Sequence, residues 1–378
     1  MAIGGQIPLC ALSIDELAGV LSPLPRFRAL QIYKWIAGGA LDIGQMTDLP
    51  ASLRENLKKT FTVCPGSEES RHESKDSLKM VFAFPGEVRV ESILLADGKG
   101  RLTACLSTQA GCPLGCVFCK TGSLGFIRNL SAAEITGQFL HLRNAARNAT
   151  HYAAPEKGKN TVANIVVMGM GEPLLNLCET RQALKIITDP KGMNFSKRRI
   201  TLSTSGISEG IEDLACNGPF VRLALSLVTA DEKLRQRLMP GAKNQPLAKI
   251  KKALVNFQKA GGGRITLELV LLGGINTRAA DAPPIAEFAN GLDTVVNLIP
   301  WNPAEGLCFD SRPLIQPEKQ ETENFARLLE KYGLKVTTRR GKGRGIMGAC
   351  GQLGVSGKTP SNEGSSNEGY VPYFLNSD

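Results

Sequence analysis

The chain has 378 residues, 42% of them hydrophobic, and Lys plus Arg outnumber Asp plus Glu by 45 to 35, giving a net charge of +10. That length can bury a full core with room for a smaller second domain, and the basic balance favours a polyanionic partner such as nucleic acid. No run of 18 apolar residues occurs and the first 30 residues carry no export signal, which argues against a helical membrane protein and a secreted disulfide framework and makes the cytoplasm the expected compartment.

The first sixty residues read as short helices. Ser13 with Glu16 and Ser52 with Glu55 have capping-box spacing, and Pro25 opens an amphipathic stretch that Gly38-Gly39 stop. Basic residues recur there, including Arg26, Arg28, Lys34, Arg54, Lys58 and Lys59, so RNA contact by this part is an expectation. Two β-rich runs, 78–84 and 88–95, follow around Pro85-Gly86 as a hairpin. From residue 101 apolar runs at 102–106, 163–168, 199–203, 221–227, 265–272 and 294–299 alternate with helical stretches, the first opened by a capping box at Ser131 and Glu134 and the others near 178–188, 246–260, 282–290 and 317–332.

Six such units predict an α/β fold, a partial (β/α)6 barrel built on a parallel sheet. The expected organisation is a helical domain over 1–75, a hairpin connector over 76–100, a core over 101–355, and a Gly/Ser-rich polar tail over 356–378 that has no fold of its own. In such folds ligands sit at the carboxyl ends of the strands.

The first strand of the repeat leads into Cys112-Pro-Leu-Gly-Cys-Val-Phe-Cys119. Three thiolates spaced in this way, Cys112, Cys116 and Cys119, can hold three corners of a four-iron cluster and leave the fourth iron open. A zinc knuckle would need a fourth ligand, and none of His72, His141 and His151 lies at finger spacing, while Cys105 sits at an unusual offset. Gly169-Met-Gly-Glu172-Pro173 follows the second strand, with two glycines for close backbone approach and Glu172 as an acceptor for an amine. Ser203-Thr-Ser-Gly206, Ser226-Leu-Val228 and Trp301-Asn302-Pro303 follow later strands, so small hydrogen-bonding groups surround one mouth. Lys335, Arg339, Arg340, Lys342 and Arg344 crowd the approach to Cys350, and phosphate contact is their expected role. Cysteines 10, 64, 178, 216 and 308 are expected to be buried small apolar residues.

The cysteine triplet with the Gly-Glu-Pro motif resembles the radical S-adenosylmethionine (SAM) superfamily. Longer blocks narrow the resemblance: Cys105-Leu-Ser-Thr-Gln-Ala-Gly-Cys112, Met168-Gly-Met-Gly-Glu-Pro-Leu-Leu-Asn176, Ser196-Lys-Arg-Arg-Ile-Thr-Leu-Ser-Thr-Ser-Gly206, Asn297-Leu-Ile-Pro-Trp-Asn-Pro303 and Ala349-Cys-Gly-Gln-Leu353 resemble the RlmN/Cfr family of radical SAM RNA adenine methyltransferases. The resemblance implies a radical SAM barrel, one [4Fe–4S] cluster on Cys112, Cys116 and Cys119, and two SAM molecules per turnover. It implies that Cys350 takes a methyl group from one SAM and that a radical from the second attacks this methyl, which then adds to adenine. Cys105 resolves the adduct through a transient disulfide with Cys350. Glu91 is implied as the proton acceptor, with one residue more between it and Cys105 than the family spacing. Gly171, Glu172, Ser203, Ser226, Leu227, Val228 and Asn302 would line the SAM site, although Val228 stands where relatives commonly carry His. The implied reaction is methylation at C2 of adenosine in 23S rRNA and of the adenosine 3′ to the anticodon in tRNAs, by a monomer served by a flavodoxin or ferredoxin. A Cfr-type C8 methyltransferase, a radical SAM enzyme acting on a peptide and a zinc-containing RNA-binding module are the rivals.

Overall fold

The computed structural model describes residues 5–98, 100–148, 162–339 and 343–354. Arg340, Lys342 and the tail from 355 lie outside the described residues, as does His151. The N-terminal module holds helices Ile14–Val20, Arg26–Gly38 and Ala51–Thr60, tied by a two-residue parallel pairing of Ile7–Pro8 with Phe61–Thr62. The Ser13 hydroxyl caps the first helix and Glu16 returns the bond, as the spacing predicts. Gly39, at φ 103°, ends the second in the left-handed conformation that glycine adopts without a Cβ clash. The Ser52–Glu55 expectation is corrected: the third helix already begins at Ala51 after Pro50, which puts Ser52 inside the helix.

A single ten-stranded sheet runs through the rest. Its strands are β1 (Ser67–Ser74), β2 (Ser77–Phe84), β3 (Val88–Ala96), β4 (Leu102–Cys105), β5 (Val162–Val167), β6 (Ile200–Thr204), β7 (Arg222–Ser226), β8 (Ile265–Leu271), β9 (Thr294–Pro300) and β10 (Val336–Thr338), and their order in the sheet follows the sequence. Neighbours from β1 to β4 pair antiparallel, and those from β4 to β10 pair parallel. The predicted hairpin is β2 and β3, here one end of the main sheet. The edge strand β1 escapes sequence patterning because Ser-Glu-Glu-Ser-Arg-His-Glu-Ser has no apolar alternation; its charges suit an exposed edge, where they discourage pairing with another chain.

The parallel part has seven strands rather than six. The seventh, β10, is three residues long and pairs with β9. Crossovers include Ala132–Asn148, Leu177–Thr188, Ser208–Asn217, Leu247–Lys259, Ala282–Ala289 and Lys319–Lys331, of which Ser208–Asn217 is additional to the predicted set. The Ser131–Glu134 box closes reciprocally, with Ser131 N–H to Glu134 at 2.8 Å and Glu134 N–H to Ser131 Oγ at 3.2 Å. One continuous core joins Ile32 and Ile36 of the N-terminal module to Leu225 and Leu267 of the barrel. A smaller cluster of Phe118, Val228, Leu238, Met239 and Trp301 lies at the barrel mouth.

The loop after β4 needs glycine at one point. Gly111 has φ +73°, and a Cβ there would stand 1.9 Å from the Gly125 carbonyl oxygen. Gly274 has a similar φ of +71° with open space around it. In urea denaturation Gly274→Ala should cost about 1 kcal/mol from backbone strain alone, whereas Gly111→Ala should cost roughly 3 kcal/mol or more and lower the midpoint accordingly.

Candidate active site

The cysteine loop is fastened from several sides before it presents its thiols. Cys112 N–H donates to Gly125 O at 2.8 Å, Val117 N–H to Leu238 O at 3.0 Å, and Cys119 N–H to Cys116 O at 3.1 Å. The indole N–H of Trp301 donates to Phe118 O at 2.9 Å, so the loop after β9 holds the residue between two of the cysteines. Cys112, Cys116 and Cys119 line one cavity of about 930 Å³ including its mouth, together with Gly171, Glu172, Ser203, Ser226, Asn302 and Cys350. That volume is within the range of small-molecule cofactor sites.

Burial pushes all three thiols up, Cys112 to about 12, with Cys119 adding like charge at Cys112 and Cys116. Left alone they are neutral; a bound metal's positive charge is what deprotonates a coordinating thiol. Three such thiols around one polar-rimmed cavity fit an iron–sulfur cluster. Among the described residues no group of three His, Cys, Asp or Glu side chains converges in the way a single-ion site requires.

Glu172 is buried, and both its oxygens already serve the fold: one accepts the Leu174 N–H at 3.0 Å, the other the Ser205 N–H at 2.7 Å. Burial raises its pKa, against the pull of these amides. Its carboxylate therefore joins the ends of β5 and β6, and an incoming amine would share an oxygen that is already bonded. Ser203 and Ser226 hydroxyls lie 3.3 Å apart. Leu227 and Val228 are buried and outside the cavity lining. Val228 has φ +64°, donates its N–H to Glu268 O at 3.1 Å, and its carbonyl accepts from Asn276 at 2.9 Å. The expectation that Leu227 and Val228 line the site is therefore corrected: Val228 commits its backbone N–H and carbonyl within the protein.

Cys105 ends β4, with Ile93 of β3 on one side and Val166 of β5 on the other. It lines a second cavity with Cys119, Asn302, Arg339 and Cys350. Burial, then the neighbouring Cys350, pushes its thiol up to about 12, and Arg339 opposes them. All ten cysteines are free, so no disulfide joins Cys105 and Cys350 in this structure. The Cys350 segment is tied down: Asn302 donates to Cys350 O at 3.2 Å, Lys120 N–H to Gly351 O at 2.8 Å, Thr121 Oγ1 to Leu353 O at 2.6 Å, and Gln352 to Pro303 O at 2.7 Å. Glu91 is buried rather than solvent-facing; it pairs with Lys79 at 2.8 Å and accepts the Gly354 N–H at 2.7 Å. Between β3 and β4, Asp97 N–H donates to Arg101 O at 3.0 Å.

Two expectations change. Arg339 lines the thiol cavity, where its interaction with Cys350, opposed by burial and joined by Glu268 and Cys105, raises its pKa; an RNA phosphate would compete for it with these groups. Cys178, Cys216 and Cys308 are exposed, and only Cys10 and Cys64 of that set are buried. Sequence reading passed over Glu268, which lines the main cavity and is raised by burial. Its signal was a lone charge inside the apolar run Ile265–Leu271.

Three thiols in a loop at the first carboxyl end of a parallel α/β barrel define the radical SAM class. Residues 106–282 match the Radical SAM superfamily, and residues 23–63 match the ribosomal RNA large subunit methyltransferase N-terminal domain. The probable dual-specificity RNA methyltransferase RlmN of Treponema denticola is 45% identical over 93% of this chain and 95% of its own length, and that of Treponema pallidum strain Nichols 43% over 93% and 97%. The crystal structure of a radical SAM methyltransferase from Sphaerobacter thermophilus superposes with a TM-score of 0.85 at 35% identity, over 92% of this chain and 99% of that one. The chain belongs to the RlmN family of radical SAM methyltransferases. Membership implies a [4Fe–4S] cluster and SAM.

Because the thiolate is the reactive form, a buried thiol raised to about 12 stays protonated and unreactive at pH 8. Iodoacetamide on the cluster-free protein should therefore modify Cys178, Cys216 and Cys308 first and Cys105 among the last. Peptide mass spectrometry over a time course reads the order.

Proposed function

We propose that this chain methylates C2 of adenosine in 23S rRNA and of the adenosine 3′ to the anticodon in tRNAs. The observation that carries the reading is the gathering of five cysteines from distant parts of the chain around two adjoining cavities. Carbon 2 of adenine is electron-poor and the methyl of SAM is electrophilic, so direct polar transfer is mismatched. A protein sulfur resolves the mismatch.

In this reading Cys112, Cys116 and Cys119 hold one cluster, and Gly171, Glu172, Ser203, Ser226 and Asn302 line the SAM site, with Leu227 and Val228 shaping it from behind. When bound, one SAM would supply the methyl group and a second, with the cluster, the radical, two SAM per turnover. The Cys350 sulfur attacks that one methyl, and the thioether left of the first SAM, S-adenosylhomocysteine, is the displaced group. After the methyl-derived carbon has bonded to adenine and the adduct has given up one electron, Glu91 takes the ring proton. Cys105, giving up its own proton, then attacks the Cys350 sulfur; the sulfur–carbon bond breaks with its electron pair left on the carbon, which takes up a proton to become the methyl group, and a Cys105–Cys350 disulfide remains for the reductant to reopen. Burial keeps Cys105 protonated until then, which suits a thiol that acts last.

The target base has to leave its stack, at a cost of about a few kcal/mol, least for an unpaired loop. Basic residues of the module over 1–75 supply cations to offset that cost, whereas Lys197, Arg198, Arg199 and Arg222 are exposed at the amino ends of β6 and β7, away from the cavities. The hairpin over 76–100 and the core over 101–355 complete the proposed organisation. Action as a monomer is part of this reading. A flavodoxin or ferredoxin would donate electrons, and the reducing cytoplasm suits free thiols.

The test is an anaerobic assay of the cluster-bearing protein with SAM, a reductant and rRNA or tRNA fragments. Cys350→Ala should give no methylated RNA, and Cys105→Ala should accumulate a covalent protein–RNA adduct. Normal methylation by Cys350→Ala would refute the mechanism. NMR of the digested product should place the methyl on C2; a methyl on C8 would overturn the assigned regiochemistry.

A further inference from the structure

Lys79 of β2 and Glu91 of β3 lie on neighbouring antiparallel strands. The register sets Val81 opposite Glu91 and Lys79 opposite Ile93, so the two charged residues are diagonal neighbours on one face. The Lys79 ammonium stands 2.8 Å from Glu91 Oε1, with the side chains 11% and 4% exposed. Desolvation of a pair this deep consumes most of its attraction, so fold stability alone is a weak reason to place one there.

The second carboxylate oxygen explains the placement better. Glu91 Oε2 accepts the Gly354 N–H at 2.7 Å, four residues beyond Cys350. An ionised acceptor makes this a charge-assisted bond, about twice as strong as a neutral one. It acts on the same segment that Lys120, Thr121 and Asn302 hold from the other side. The Cys350 segment is thus stretched between the cysteine loop and the antiparallel strands, and Lys79 fixes the outer anchor.

We propose that Lys79 is a positioning residue for Cys350: it aims the Glu91 carboxylate, and Glu91 latches Gly351–Gly354 so that the Cys350 sulfur stays over the cavities. The proposal rests on the reading of Cys350 as the methyl-bearing sulfur for its effect on turnover, whereas the latch itself is readable without activity. Arg89 of β3 provides a control, since its ion pair with Glu69 at 2.7 Å is on the surface.

Hydrogen–deuterium exchange of the full-length, cluster-bearing protein reads the latch directly. Lys79→Met should speed exchange in the peptide spanning 351–354 by about tenfold or more, with β8 still protected. The same variant should lower kcat by about tenfold while KM for RNA changes less than about threefold. Lys79→Arg keeps the cation and should restore both, and Arg89→Gln should leave both unchanged. Should Lys79→Met lose protection in β8 as well, Glu91→Gln, which keeps the shape and removes the charge, carries the exchange test. Unchanged exchange at 351–354 in Glu91→Gln, or in a folded Lys79→Met, overturns the proposal. Faster exchange with no effect on a wild-type-active assay removes the positioning role, and normal methylation by Cys350→Ala removes only the reading of that sulfur.

Discussion

The strand Leu102–Cys105 is where the sheet changes sense, and the site depends on that change. On one side it pairs antiparallel with β3, on the other parallel with β5. Parallel strands deliver their carboxyl ends to one rim, so the loops after β4, β5, β6, β7 and β9 converge there. The antiparallel strands instead bring Lys79 and Glu91 alongside Cys105 from the opposite direction. A uniformly parallel sheet would supply the cluster loop and the cofactor groups and would leave the Cys350 segment without its second wall. The narrowness of Cys105's surroundings follows: it is flanked by backbone on both sides and faces Cys350 and Arg339 across one cavity.

Much of this was legible in the sequence because the signals were local. The β/α alternation gave six strands close to their observed limits, since buried parallel strands are continuous apolar runs. The cysteine spacing, the Gly-Glu-Pro turn and the Ser13 and Ser131 caps each lie within a few residues of chain. What stayed hidden depended on distant partners. β10 is too short to carry a pattern and exists because β9 offers it an edge. β1 is polar because it is an edge. Glu91 stood out only through the family resemblance, as a proton acceptor, because nothing nearby in sequence announces Lys79 or Gly354 as its partners. Arg339 read as one of a basic run, yet it lines the thiol cavity beside Cys105 and Cys350, which lie 234 positions upstream and 11 downstream of it in the chain.

Two residues show how the protein spends polar groups on geometry. Glu172 uses both oxygens to hold two backbone amides, so a motif legible as ligand chemistry is also the joint between two strand ends. Arg235 is almost fully buried and donates to the carbonyls of Leu227 and Ser205, linking the loops after β6 and β7. Burial lowers its pKa, and the nearby carboxylates of Glu232 and Glu172 with Cys116 oppose that. The rim is thus set in part by Arg235, which lies outside the cavity lining, and in part by Glu172, which belongs to it.

The sewn-down Cys350 segment also has a consequence in the order of synthesis. The thiols of Cys112, Cys116 and Cys119 leave the ribosome before the residues that roof them, which lie more than 200 positions later. At ~5–20 residues per second the interval is roughly ten seconds or longer. During that time the loop of Cys112, Cys116 and Cys119 exists without its cover, and the last strand and the Cys350 segment close over it only afterwards. The Cys350 segment is thus laid over a thiol loop that has already been made, and the bonds from Lys120 and Thr121 to Gly351 and Leu353 can form only at that late stage.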